Sequence, residues 1–329
     1  MLHRWAPSYP ETTGYTIPTL LNAAARRVRP EWKDLALCLA EYLLKNATSE
    51  GGAAHWQNRT GTDPVVFDTG QVIFGWLAAF EVSRFTRYLQ AAEQAGDWLV
   101  SVQDASGSWK RYQYLGVEKV IDTRVAWALL ELHRLTGRAA FRQAALSNLE
   151  WALQQQSSNG WFQRCAFRPG QDPLTHTLAY TAEGLFECGC LLDEPRYLAA
   201  ARRMADALLA RQRLDGGLAS TYRSDWSESS HSSCLTGNCQ MARLWLRLDD
   251  AGHGTDYREA AGRAIAFVAR TQDLGSPNPN VRGGIAGSQP LYGHYERFKY
   301  PNWAAKFFID ALLTLDPIDD QGAPLIYKG

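Results

Sequence analysis

The chain has 329 residues, of which 46% are hydrophobic and 12% aromatic, so it can bury a substantial core in one large domain or two ordinary ones. Its 34 Lys and Arg residues balance 34 Asp and Glu residues, and this charge balance does not favour nucleic acid or an anionic membrane as a partner. We find no apolar export segment, no stretch long enough to span a membrane, and no disulfide framework among six cysteines. We therefore predict a globular protein of the cytoplasm.

Six segments begin with polar residues and continue as almost wholly apolar helices. In chain order they start at Glu11, Asp68, Asp122, His176, Leu235 and Pro301. Five of them carry a threonine near the start, at positions 13, 69, 123, 177 and 236, which are separated by 56, 54, 54 and 59 residues. Such a period fits two helices with their loops. Because apolar residues surround these helices and Asp, Thr or Asn can cap their starts, we predict a set of buried inner helices.

Five amphipathic helices alternate with the inner ones, at 32–46, 86–103, 141–156, 195–212 and 256–272. Four of them end in a glutamine before a glycine-containing turn, namely Gln103, Gln156, Gln212 and Gln272. The alternation predicts an all-α protein with the (α/α)6 toroid fold, a six-hairpin barrel, formed by a single domain over residues 1–329. A solenoid of helix pairs fits the same period, but it needs polar end caps that we do not find.

The predicted toroid counts six inner helices but only five outer ones, because the tail after Leu315 is rich in Pro and Gly. Either the barrel lacks one outer helix beside the first inner helix, or an N-terminal segment or a neighbouring subunit of a homo-oligomer supplies it.

The starts of the inner helices are predicted to converge on one central cavity. Asp68 and Asp122 hold equivalent positions on consecutive inner helices, about 8 to 10 Å apart, which suits an acid and a base with a water between them. The alternative is that both are N-caps that only bond backbone amides.

His176, Tyr180 and Glu183 follow one another at i+4 and i+3, so they lie on one face of the fourth inner helix. We predict that His176 and Glu183 are catalytic with the two aspartates, because a wet cavity removes the cost of burying Glu183. A His and Tyr pair also suits a lyase in which Arg124 or Asn238 neutralises a uronic carboxylate. The alternative is a buried network in which Glu183 bonds a neighbouring Tyr or Arg.

Other polar and aromatic side chains occupy equivalent depths on the inner helices, and such groups bind sugar hydroxyls and ring faces. The predicted substrate-binding residues are Glu11, Gln71, Arg124, Tyr180, Asn238, Gln240, Asn302, Trp303 and Lys306. The CGC at 188–190 and the HSSCLTGNC at 231–239 fit no standard zinc motif, so we predict no metal and no cofactor. The polar loops 220–233 and 273–300 are predicted to border the cavity.

The helix ends VQDASGSW, QQSSNGWF and RQRLDGGL resemble the Gln and Trp repeats of squalene cyclases and prenyltransferases. YPETTGY together with VFDTGQVIFGW resembles, over nearly the whole chain, a bacterial family of six-hairpin toroids associated with exopolysaccharide gene clusters. The resemblance implies the toroid fold. Unsaturated glucuronyl hydrolases share this toroid and use inner-ring aspartates, but the same architecture also carries lyases, epimerases and terpene enzymes.

We predict a carbohydrate-active enzyme, a glycoside hydrolase or polysaccharide lyase that acts on a bacterial exopolysaccharide or a derived oligosaccharide. One alternative is a non-catalytic saccharide-binding or assembly component of polysaccharide biosynthesis. Another is an isoprenoid cyclase, which needs an aspartate cluster at the top of the cavity. The adjacent acidic pairs, Asp249–Asp250 and Asp319–Asp320, are predicted instead in a linker and in the tail.

Overall fold

A computed structural model describes residues 8–27, 29–48, 51–53, 64–254 and 256–316. Within these residues the chain forms eleven α-helices. They are α1 (Pro10–Arg27), α2 (Pro30–Asn46), α3 (Val66–Ser83), α4 (Thr86–Ser101), α5 (Thr123–Thr136), α6 (Ala139–Gln154), α7 (Thr175–Leu192), α8 (Pro195–Leu209), α9 (Leu235–Asp250), α10 (Asp256–Ala269) and α11 (Asn302–Leu315). The predicted alternation of six inner and five outer helices is confirmed over this part of the chain.

Short elements occur in the connections. Two 3-10 turns, Tyr114–Gly116 and Val120–Asp122, precede α5. Strands β1 (Ser233–Cys234) and β2 (Ser288–Gln289) pair antiparallel. Whether a sixth outer helix exists depends on the tail after Leu315, most of which lies outside the described residues.

Burial separates the two kinds of helix. In α3 every residue from Val66 to Ala79 is buried, whereas α8 buries only one stripe, which includes Tyr197, Ala201 and Leu208. Burial on all sides matches the apolar composition of the inner helices, and the stripe matches the amphipathic pattern of the outer ones. No helix in the described part of the chain is long and apolar enough to cross a membrane.

The described residues group into two compact units. The first unit comprises the residues up to Glu118 together with Val125–Asn148, and in it α1 packs on α2 and α3, while α3 packs on α4. The second unit comprises Lys119–Arg124 and the residues from Leu149 onward, and in it α7 packs on α8 and α9, while α9 packs on α10 and α11. Each unit is a stack of helical hairpins. The single domain over residues 1–329 stays a prediction.

The glutamines after the outer helices form a repeated contact that we call the glutamine clasp. Gln212 Nε2 donates to the carbonyl oxygen of Gly216 in its own turn at 3.1 Å and to that of Ala260 in α10 at 2.8 Å. The same two bonds are made by Gln103 to Gly107 and Ala144, and by Gln156 to Gly160 and Ala200. The clasp therefore ties each turn to the next outer helix. Glycine is required at Gly216, where φ is +90° and a Cβ would collide with the Arg263 carbonyl.

The predicted capping of the inner helices is wrong for α3 and α7. Their N-cap residues are Val65 and Leu174, and neither makes a side-chain cap bond. The hydroxyl of Thr69 donates back to the Val65 carbonyl at 2.7 Å, and that of Thr177 donates to the Leu174 carbonyl at 2.9 Å. The repeated threonines thus bond a carbonyl of their own segment. Because α3 begins at Val66, Asp68 lies inside its first turn and is not an N-cap.

Candidate functional site

Asp68 is the centre of an acidic cluster in the first unit. Its side chain is buried in α3, its Oδ1 accepts a hydrogen bond from the Tyr9 hydroxyl at 3.2 Å, and its Oδ2 is buried with no hydrogen-bond partner among the described residues. Burial and then the charge of Glu11 raise the pKa of Asp68 well above its usual value. Asp68 therefore favours the protonated form, which can donate a proton.

Tyr9 and Glu11, at the start of α1, are half-buried and so connect this cluster with the surface. Burial, followed by the charges of Asp68 and Glu11, raises the pKa of Tyr9 well above its usual value. The Tyr9 hydroxyl thus keeps its proton and remains a hydrogen-bond donor to Asp68.

Gln71 lies one helical turn further into α3 and is fully buried. Its Nε2 donates to the Phe67 carbonyl of its own helix at 3.3 Å. A Cβ at Gly14 of α1 would lie 2.6 Å from the Gln71 carbonyl oxygen, so the two helix backbones nearly touch here. Gln71 therefore belongs to the contact between α1 and α3.

His176 is the centre of an aromatic cluster in the second unit. Its ring centroid lies 4.4 Å from that of Tyr180, 5.5 Å from that of Tyr295 and 6.3 Å from that of Phe307. Its Nδ1 lies 2.6 Å from the Oε1 of Gln240. With the Gln240 amide assigned in this way, Nδ1 carries the proton and Nε2 keeps a lone pair.

Burial, opposed by the hydrogen bond to Gln240 and reinforced by the nearby charge of Arg124, lowers the pKa of His176 to about 4. The imidazole is consequently neutral at pH 7. A neutral imidazole whose Nδ1 is held by an amide is suited to accept a proton at Nε2.

Glu183 lies two turns along α7 from His176 and is ion-paired with Arg124 and Arg243, all three being buried. These contacts match the alternative prediction of a buried network. A second pair extends it, since Arg247 Nε lies 3.0 Å from the Oε1 of Glu187. The carboxylate of Glu183 thus neutralises and positions two guanidinium groups, one of which, Arg124, lies 5.0 Å from the centre of the Tyr180 ring.

Asp122 is fully buried at the end of the second 3-10 turn, directly before α5. The turn packs against α7, where the Thr123 hydroxyl donates to the Thr181 carbonyl at 3.1 Å. Asp122 therefore lies beside the helix that carries His176. Burial lowers the pKa of the neighbouring Lys119, and the charge of Asp122 opposes that shift. The N-cap interpretation of Asp122 stays a prediction.

Asn238 is a fixed part of the scaffold around α9. Its Oδ1 accepts from the Leu218 amide at 2.9 Å, and its Nδ2 donates to the Cys234 carbonyl at 2.7 Å. Both ends of the side chain are thus engaged with backbone, which makes a contact to a ligand costly for this residue.

The predicted residues of α11 lie at different depths. Lys306 is buried, its Nζ lies 2.6 Å from Asp310 Oδ2, and burial lowers its pKa to about 8. The half-buried Trp303 donates from Nε1 to the Tyr295 hydroxyl at 2.8 Å. Asn302 is exposed at the start of the helix. Trp303 therefore reaches Tyr295 beside His176 and Lys306 pairs within its own helix, whereas Asn302 lies at the surface.

Six residues of these clusters were not predicted from the sequence: Tyr9, Glu187, Arg243, Arg247, Tyr295 and Phe307. Glu187 follows Glu183 by four residues, and Arg247 follows Arg243 by four, so matched i,i+4 pairs on α7 and α9 were a usable signal. No such signal exists for Tyr295, since only the folding of the loop 273–300 brings it to His176.

The acidic pair Asp249–Asp250 lies at the end of α9, so the prediction of a linker there is wrong. Both carboxylates accept from Arg258, at 2.6 and 2.7 Å. The pair Asp319–Asp320 lies outside the described residues. Within the described ranges, no group of three or more His, Cys, Asp or Glu side chains is placed to hold a metal ion.

The loop 220–233 is anchored by its tryptophan. Trp226 is buried, donates from Nε1 to the Asn159 carbonyl at 2.9 Å and contacts Trp161 edge-on, with ring centroids 5.1 Å apart. This loop is thus attached to the turn after α6. Its predicted place at the border of a cavity stays a prediction.

No protein-family model matches the chain, and no curated protein matches it in sequence. Solved structures do match in fold. A cellobiose 2-epimerase from Bacillus thermoamylovorans gives a TM-score of 0.72 at 11% identity over 94% of this chain and 89% of that one. An unsaturated glucuronyl hydrolase from a Bacillus species, responsible for the degradation of glycosaminoglycan, gives 0.72 at 15% identity over 92% and 85%.

A polysaccharide lyase gives a TM-score of 0.65 at 14% identity over 94% of this chain and 89% of that one. The prediction of the (α/α)6 toroid fold is thereby confirmed. Carbohydrate-active enzymes of several kinds, hydrolases, lyases and epimerases, share this fold. Fold similarity at this level of identity leaves the reaction to be argued from the side chains.

Proposed function

We propose that the chain is a carbohydrate-active enzyme that uses His176 as a proton acceptor. The observation that carries the proposal is a buried imidazole whose pKa is lowered to about 4 and whose Nδ1 bonds Gln240. A general base needs a lone pair to accept the proton, and Nε2 supplies one in the tautomer that the bond to Gln240 fixes. The aromatic rings around it offer flat apolar surfaces of the kind on which sugar rings stack.

The second unit offers further groups for the reaction. Asp122 lies beside α7 and is proposed as the partner acid or base of His176. Arg124, held by Glu183, is proposed to bind a substrate carboxylate or hydroxyl group, because its charge is fixed in position before a ligand arrives. In this proposal Glu183 positions Arg124 and does not itself transfer a proton.

Asp68 is proposed as a proton donor in its own cluster in the first unit. Its protonated carboxyl group and its bond from Tyr9 support this role. Glu11, which raises the pKa of Asp68, would then set the pH range over which the proton is available.

The reaction is proposed to be cleavage of a glycosidic bond, by water or by elimination beside a uronic carboxylate. The proposed substrate is a bacterial exopolysaccharide or its oligosaccharide. This finer assignment is supported by the likeness of YPETTGY and VFDTGQVIFGW to the exopolysaccharide-associated family and by the enzymes that share the fold.

The test compares wild type with His176→Gln and Asp122→Asn on uronate-containing oligosaccharides, with reducing ends and new double bonds measured in parallel. We expect each variant to lose about 100-fold or more in kcat. His133→Gln, which alters a half-buried histidine that bonds the Arg138 carbonyl, is the matched control and should keep full activity.

Turnover by His176→Gln at the wild-type rate would contradict the proposal. Saccharide binding by the wild type without any turnover would favour the alternative of a non-catalytic binding component.

A further inference from the structure

The loop 273–300 displays aromatic side chains on the surface of the second unit. Tyr292 is 62% exposed, Phe298 is 60% exposed and Tyr300 is 38% exposed. All three fall within ten residues, LYGHYERFKY at 291–300. We call Tyr292, Phe298 and Tyr300 the aromatic surface. Exposing several large rings in one short segment loses hydrophobic stabilisation, which a ligand can restore.

Backbone bonds fix this segment although it is neither helix nor strand. The Phe298 amide donates to the Leu291 carbonyl at 2.9 Å, and the Gly287 amide donates to the Lys299 carbonyl at 3.0 Å. Glu296 and Phe298 adopt positive φ values of 44° and 58°, which cost about 1 kcal/mol or more each in residues other than glycine. Surrounding contacts must therefore impose this conformation, and the rings are presented from a defined backbone.

The same segment also reaches the proposed reaction centre. Between the exposed rings, Tyr295 turns inward, where its backbone amide donates to Ser288 Oγ at 2.9 Å and its ring centroid lies 5.5 Å from that of His176. One ten-residue stretch thus contributes a buried ring beside His176 and three rings at the surface. A ligand that is long enough could contact both.

The charges beside the aromatic surface are few and mixed. The Arg297 guanidinium lies 5.3 Å from the centre of the Phe298 ring, and Lys299 pairs with Glu296 at 2.8 Å. Two cations against one anion leave a small positive excess. That is too little for nucleic acid, whose binding needs several phosphate contacts, but it suits a sugar chain, which offers apolar ring faces and hydroxyl or carboxylate groups.

We propose that the aromatic surface binds a polysaccharide chain and so positions polymeric substrate outside the reaction centre. Stacking of Tyr292 and Phe298 on sugar rings supplies the affinity, and Arg297 contributes a hydrogen bond or an ion pair to the chain. This inference rests on the proposed function for the identity of the polymer. It adds a binding site that cleavage of a short oligosaccharide does not need.

The test is affinity electrophoresis of the full chain in gels that contain alginate, gellan or dextran. We expect at least one of these polymers to retard the wild type, and the double variant Tyr292→Ala with Phe298→Ala to lose at least fivefold in apparent affinity. Leu274→Ala is the matched control, because Leu274 is 68% exposed on the same loop and lies outside the aromatic surface. Circular dichroism checks that each variant is folded.

The proposal would be overturned if the double variant were retarded as strongly as the wild type. It would also be overturned if none of the three polymers retarded the wild type. Tighter binding to a single-stranded oligonucleotide with a steep salt dependence would overturn it as well. Activity on short oligosaccharides separates the two proposals, since loss of the aromatic surface should leave their kcat unchanged. A wild type that binds polymer but cleaves nothing would refute the proposed function alone.

Discussion

The two units bury carboxyl groups under opposite electrostatic conditions. In the second unit the carboxylate of Glu183 lies between Arg124 and Arg243, so burial is compensated by two opposite charges. In the first unit, burial and the charge of another acid, Glu11, both disfavour the ionised form of Asp68. The pKa of Asp68 is therefore raised, and its protonated form is favoured. One carboxyl group is thus compensated by two guanidinium groups, and the other has a raised pKa.

The difference teaches that burial alone does not determine the protonation state of a carboxyl group. Glu183 and Asp68 are each 2% exposed, yet burial and the charge of Glu11 raise the pKa of Asp68, whereas Glu183 faces two guanidinium groups. What separates them is the sign of the nearest charges. Replacing each acid by its amide should therefore have opposite consequences.

The largest expected effect comes from Glu183→Gln. The substitution removes the buried carboxylate that two buried guanidinium groups share, so the free energy of unfolding should fall by about 3 to 5 kcal/mol. Urea denaturation at pH 7 measures it. The control is Glu41→Gln, which removes a partly exposed ion pair with Arg87 and should cost less than about 1 kcal/mol. Equal losses in the two variants would contradict the buried network.

His176 should make stability depend on pH in the second unit. Its folded pKa of about 4 lies below the usual 6.5, so between these pH values the unfolded chain binds more protons than the folded one. Stability therefore falls as the pH drops through this window, by about 3 kcal/mol in all. Unfolding free energies at pH 7 and pH 4.5 should differ less in His176→Gln than in wild type. An unchanged difference would show that the imidazole is not held neutral.

The glutamine clasp should contribute equally to stability in both units, unlike the buried carboxyl groups of the inner helices, which differ between the units. Gln103→Ala in the first unit and Gln212→Ala in the second each remove the two clasp bonds to backbone carbonyls, and Gln212→Ala also removes two bonds from the exposed Arg263 to its Oε1. Each should lower the free energy of unfolding by about 1 to 2 kcal/mol. Thermal denaturation of the two variants checks this. A large difference between them would mean that the repeats do not share one architecture.

The smallest effect on stability is expected for Asp68→Asn, within about 1 kcal/mol at pH 5, because the amide replaces a protonated carboxyl group of similar shape. As the pH rises above the usual carboxyl range, the unfolded wild type loses a proton that the folded protein keeps, so wild-type stability falls. The variant lacks this pH dependence, so its free energy of unfolding should increase relative to that of the wild type as the pH rises. Unfolding curves at pH 5 and pH 8 measure the change. A variant that loses stability with rising pH as wild type does would argue against a protonated Asp68.

The fold could be predicted because its signals are periodic. The spacing of the threonines and the burial pattern of the inner helices repeat with the hairpin, and each glutamine precedes the turn that its clasp fixes. The threonines were nevertheless assigned the wrong bonds, because a hydroxyl in the first turn can reach a carbonyl of its own helix as readily as an orphan amide.

The candidate site could be predicted only in part. Asp68, Asp122 and His176 were found because they open repeated segments, and Arg124 because it follows Asp122. Tyr9 and Tyr295 were not found, since their contacts join positions 59 and 119 residues apart in the chain, to Asp68 and His176. Glu183 was recognised as unusual, but its charge partners on another helix decide its role.

The paired spacing of acids on α7 and bases on α9 also sets the axial register of these two helices. Glu183 pairs with Arg243, and one turn further along the two helices Glu187 pairs with Arg247. Sliding one helix by a single turn, about 5.4 Å, would leave one carboxylate facing no guanidinium. Apolar side chains alone tolerate such a shift more readily than a ladder of discrete charges does. The two ion pairs therefore fix the position of His176 along the helix axis relative to α9.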